Sequence, residues 1–110
     1  RIPIWFEDDV HLQRGLACEL SALNLQSSGL KVCTFHPVLV ALNCADLMAY
    51  NQLKTDLNER GVALTEATPE DFEPFVERAR TGVGDLFEAL VGWLEDHPER
   101  AGAGLETLIA

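Results

Sequence analysis

The chain has 110 residues, with 8 Lys and Arg against 18 Asp and Glu, giving a formal net charge of −10 and a pI near 4.5. That length allows one domain, and the acidity excludes nucleic acid, whose phosphates need a basic stripe, and docking on an anionic membrane. An apolar content of 47% excludes wholesale disorder, and no apolar run approaches the length of a membrane span.

Arg1 opens the chain without an initiator Met and leads directly into Ile2-Pro3-Ile4-Trp5-Phe6, an apolar, β-prone run. Such a start predicts a piece of something larger. The run stops at Glu7-Asp8-Asp9. From Val10 to Gln26 the residues Leu12, Leu16, Leu20 and Leu23 recur at helical spacing, which predicts a helix capped by Asp8 or Asp9 and ended by Ser27-Ser28-Gly29. Residues Leu30 to Phe35 form a second β-prone run, closed by His36-Pro37 because proline cannot donate a ladder hydrogen bond. Strand, helix and strand in this order predict a βαβ unit with parallel strands. Both strands are apolar throughout, as strands buried on both faces are.

Val38 to Asn43 has no clear period. Asp46 to Glu59 reads as a helix with Leu47, Tyr50, Leu53, Lys54 and Leu57 on one broad face, ending at Gly61. Thr65 to Thr68 reads as a connector, and Thr68-Pro69-Glu70-Asp71 as a strong helix start. Phe72, Val76, Ala79, Val83, Leu86, Leu90 and Trp93 alternate steps of four and three, in a run that Gly82 and Gly84 divide and His97-Pro98 stops. Ala101 to Gly104 reads as a turn before a short helix or strand at Leu105 to Ile109. The fold class is therefore α/β, with residues 1–45 a βαβ unit carrying the candidate site and residues 46–110 mainly helical.

Cys18, Cys33 and Cys44 form no C-x-x-C pair and lie among apolar neighbours, so buried free thiols are expected, and with them a cytoplasmic location. The acids among residues 66 to 77 are expected to form a solvated face.

In parallel α/β folds ligands bind outside the carboxyl ends of the strands. The first strand delivers Glu7, Asp8 and Asp9 to that edge and the second delivers His36. Neighbouring strands lie about 4.8 Å apart, so a carboxylate there can reach the imidazole, fix its tautomer and raise its pKa. The product is an imidazolium able to protonate a leaving group. A plainer reading makes Asp8 and Asp9 helix caps and His36 a satisfied strand-end histidine. His11 is expected to face solvent and His97 to cap a helix. Trp5 and Phe35 read as core, although Trp5 is close enough to the edge to line a pocket. No Gly-rich phosphate loop, no strained serine turn and no paired-histidine zinc motif is present.

Trp5-Phe6-Glu7-Asp8-Asp9, Gly29-Leu30-Lys31-Val32, Phe35-His36-Pro37 with Leu42-Asn43, Tyr50-x-x-x-Lys54, and the ending from Gly82 through Leu105-Glu106-Thr107-Leu108 resemble the C-terminal part of the polysaccharide deacetylase superfamily, in its bacterial surface-polysaccharide branch. The resemblance implies the C-terminal portion of a distorted (β/α) barrel. It also implies a metal-dependent amide hydrolase that removes acetyl groups from N-acetylated saccharides. In that pattern His36 matches the late histidine that protonates the departing amine, Asp8 or Asp9 matches the acid that orients it, and Trp5 matches a residue lining the site. Glu7 and Asn43 are carried as substrate-binding candidates beside Trp5. The divalent metal, usually zinc, would be held mostly by residues outside this chain, because the family's metal-binding motifs and base are absent here. The expected partners are the N-terminal half of the same enzyme or a second chain. The competing reading is a non-catalytic α/β module that binds a protein through the apolar faces of residues 47 to 57 and 72 to 93.

Overall fold

The computed structural model describes residues 4–27, 31–99 and 105–109, the last as the course of a strand. Three strands, β1 (Phe6–Glu7), β2 (Lys31–Phe35) and β3 (Leu105–Ile109), form a wholly parallel sheet in the order β1-β2-β3. Phe6 stands opposite Cys33 and Glu7 opposite Thr34, while Lys31 to Phe35 run beside Leu105 to Ile109. The βαβ arrangement is thus present, and the terminal segment is a strand, not a helix.

Five α-helices accompany the sheet among the described residues: α1 (Asp8–Gln13), α2 (Pro37–Ala41), α3 (Met48–Glu59), α4 (Pro69–Phe72) and α5 (Val83–Asp96). The single helix expected over residues 10–26 is replaced by α1 and a separate 310 turn at Leu20–Leu23. The break falls at Gly15, whose φ of +68° is a left-handed conformation that glycine adopts without cost. Leu16, assigned to the apolar stripe, is instead about half exposed. The expected stop at Gly29 lies outside the described residues.

The unassigned stretch after His36 is α2, with Pro37 in its first turn, where a missing N–H costs nothing. At Thr68 the helix start forms as expected: the Asp71 carboxylate accepts the Thr68 N–H at 2.8 Å. That helix lasts four residues, because Pro74 cannot supply the next hydrogen bond and the chain tightens into a 310 turn. The 72–93 stripe is therefore shared between α4, a turn and α5, with the last starting at Val83, directly after the Gly82 expected to divide the run.

Phe6, Cys33 and Phe35 from one face of the sheet meet Leu39 and Leu42 from the α2 region, Leu53 and Leu57 from α3, and Val83, Leu86 and Leu90 from α5 in one core. Leu53 and Leu57 of one helix face offered to a partner, and Val83, Leu86 and Leu90 of the other, are thus buried inside the molecule. Burying each such Leu or Phe side chain contributes about 1.5–3 kcal/mol. Phe35 packs at a tilt against Phe6 and meets the Phe87 edge, with ring centroids 5.3 and 5.1 Å apart. The three cysteines are free and buried, and burial pushes the Cys33 and Cys44 thiols up to about 11. Among the acids of residues 66–77, Asp71 pairs with Arg60 and Glu77 with Arg80, while Glu66 and Glu70 are exposed. No helix among the described residues is long and apolar enough to cross a membrane.

Candidate functional site at the carboxyl edge of the sheet

The chain leaves β1 straight into α1, so Asp8 falls at the carboxyl edge of the sheet in the first turn of a helix. It leaves β2 straight into α2, so His36 occupies the equivalent place one strand away. The Asp8 carboxylate is fully buried. Its Oδ1 accepts the His36 Nδ1–H at 2.6 Å and the Asp9 backbone N–H at 2.8 Å, and its Oδ2 accepts the His36 backbone N–H at 2.7 Å. A buried carboxylate facing three donors is an acceptor, which fixes the proton on Nδ1 and leaves Nε2 as the ring nitrogen that gains or loses one. The hydrogen bond from Asp8 holds the His36 pKa above its ordinary value of 6.5, against partial desolvation and with help from the charges of Asp8, Asp9 and Glu7.

His36 opens onto a pocket of about 320 Å3. Asp9 and Gln13 of α1 form one wall, Val38 and Leu39 of α2 another, and Leu47, Tyr50, Asn51 and Lys54 a third along α3. The Lys54 ammonium lies over the Tyr50 ring, 4.5 Å from its centroid.

Of the residues singled out from sequence, Asp8, Asp9 and His36 come together, and Glu7 stands beside them as the residue that leads into α1. Trp5 turns elsewhere: its indole N–H donates to the Leu23 carbonyl at 2.6 Å, and the Lys31 ammonium lies 5.3 Å from its ring centroid. Asn43 is engaged in a different junction. Its Nδ2 donates to the Glu77 carbonyl at 3.1 Å and to Asp85 Oδ2 at 2.9 Å, and its Oδ1 accepts the Asp85 N–H at 2.9 Å. His11 does not face solvent. It is buried against Phe6, with Nε2 2.7 Å from the Ala17 carbonyl, because the break at Gly15 folds the chain back over it. His97 terminates α5 as expected, its Nδ1 2.9 Å from the Trp93 carbonyl and its ring stacked on Trp93. Sequence reasoning left Gln13 and Asn51 out of the site, and only the convergence of α1 and α3 identifies them.

Asp8, Asp9 and His36 bring potential ligand atoms within 4.8 Å of one another, a grouping that could hold a metal ion. Their bonding does not fit a metal cage. Both Asp8 oxygens already accept N–H donors in a fully buried position, and His36 Nδ1 is committed to Asp8. Binding a cation there would require breaking the contact that orients the ring. The arrangement is a buried acid bonded to one nitrogen of an imidazole whose other nitrogen, Nε2, is able to exchange a proton.

Residues 1–54 match the family model described as WbmS-like polysaccharide deacetylase. The match relates this part of the chain to the polysaccharide deacetylase superfamily, and the matched stretch contains the Asp8–His36 pair and every residue that lines the pocket. No curated protein and no solved structure matches the chain.

Proposed function

We propose that the chain is the C-terminal portion of a metal-dependent deacetylase acting on N-acetylated saccharides, and that His36 is its general acid. The observation that carries this reading is the 2.6 Å bond to a fully buried Asp8 from Nδ1 of His36, which lines the pocket. In amide hydrolysis water adds to the acetyl carbonyl, the C–N bond breaks, and the nitrogen must receive a proton to leave as an amine. His36 Nε2 supplies that proton, while Asp8 holds the ring in the required tautomer and stabilises its charged form. Asp9, on the same wall of the pocket, adds negative charge that favours the imidazolium. The products are acetate and a free amino sugar.

In this reading the divalent metal is held mostly by residues outside this chain, where it would polarise the carbonyl. The base that takes the water proton lies there too. One feature of the sheet supports a complement, either the N-terminal half of the same enzyme or a second chain: β1 is a two-residue edge strand. Strands added there would extend the parallel sheet toward a (β/α) barrel and cover its open edge.

In the complete protein His36→Ala is expected to lower kcat by about 10²–10⁴-fold and to leave the metal content intact. Near-normal turnover by that variant would remove His36 from the mechanism.

A further inference from the structure

Leu47, at the N-cap of α3, and Tyr50, Asn51 and Lys54 within it stand on its pocket side at the spacing of successive helical turns. Lys54 is the one permanently cationic side chain on the walls of this pocket. Its ammonium rests on the Tyr50 ring, 4.5 Å from the centroid, so the charge is held at the wall by a cation–π contact. The molecule carries a net charge of −10, which repels anions everywhere that a cation does not offset it. The amide side chains of Gln13 and Asn51 offer neutral donors and acceptors of the kind that match sugar hydroxyls. Asp9 is grouped with His36, at the end where the amide would react.

We propose that Lys54 is an anion-recognising residue of the pocket, so that the N-acylated sugar bound there carries a negatively charged substituent, either a carboxylate or a phosphate. This inference rests on the reading of the pocket as a saccharide site. A Lys54 that merely covered Tyr50 would affect stability and not the choice between charged and neutral ligands.

The test uses the complete protein and three matched ligands: a neutral N-acetylhexosamine glycoside, the same glycoside with a carboxylate at C6, and its 6-phosphate. Binding is followed by calorimetry, and kcat and KM by amine release. At least one anionic ligand is expected to bind about tenfold more tightly than the neutral one, with the larger gain telling carboxylate from phosphate. Lys54→Met is expected to collapse that preference and Lys54→Arg to restore most of it. Equal binding of all three ligands, or an equal loss for all three in Lys54→Met, overturns the proposal. Turnover without charge preference overturns the role of Lys54 alone. Charge preference without turnover upholds Lys54 and overturns the deacetylase reading. Failure of all three to bind overturns both.

Discussion

The Asp8–His36 pair and the Asn43–Asp85 pair each join segments far apart in sequence, and each uses a short acidic side chain to receive backbone N–H groups. At the second junction both polar atoms of the Asn43 side chain and Oδ2 of Asp85 are bonded within the fold. Asn43 sits at a φ of +49°, a conformation Asn tolerates better than most residues, and from there it clamps the start of α5. Asp85 closes the clamp on the Gly82 N–H at 3.0 Å. At the first junction one atom is left over, His36 Nε2, and it belongs to a residue that lines a pocket. The Gly82 N–H and the Asn43 amide hold the Asp85 carboxyl below its usual range, so that cluster stays ionised and holds a structure together. An imidazole with its pKa raised and one nitrogen left at a pocket can instead move a proton.

That contrast can be broken or sharpened by substitution. The largest effect is expected from Asp8→Asn in the complete protein. The new amide would donate to Nδ1 and reverse the tautomer, lowering kcat by about 10²–10⁴-fold and bringing the His36 pKa down. A variant that kept full activity would show that Asp8 is only a helix-start residue. Next is Gly82→Ala, where an added Cβ would lie 1.9 Å from the Asn43 carbonyl oxygen. The backbone must shift, so urea denaturation should register a loss of about 3 kcal/mol. Asn43→Ala should cost about 1–2 kcal/mol through the lost clamp while the titration of His36 stays where it was. A changed His36 titration in that variant would mean the two junctions are coupled.

The smallest effect concerns pH. His36 has a raised pKa in the folded chain, so its pairing with Asp8 stabilises the fold fully below its ordinary value of 6.5. The contribution fades as pH rises through the higher folded value. Denaturant midpoints measured across that window should fall with rising pH in the parent chain and remain flatter in His36→Gln.

Much of the site was legible because it depends on strand ends. Pro37 had to stop β2 at His36, the acidic trio had to stop β1, and parallel neighbours placed both ends on one edge. Periodicity misled where several short pieces feed one core. Leu12, Leu20 and Leu23 fit one helix on paper, yet Gly15 turns the chain between them and Leu16 is left out. Pro74 likewise ended a stripe that spacing alone carried through to Trp93. Asn43 was noticed as a substrate-binding candidate, while its bonding partners, Glu77 and Asp85, lie far along the chain and no local pattern announces them. The third wall of the pocket came from α3, which the fold brings opposite α1 and α2 around His36, a juxtaposition that a one-dimensional pattern does not contain.

The most direct test of the account is an NMR titration of the His36 ring in the parent chain and in Asp8→Asn. The account predicts a midpoint above 6.5 that falls when the carboxylate is replaced. A midpoint at or below 6.5 that ignores the replacement would contradict it.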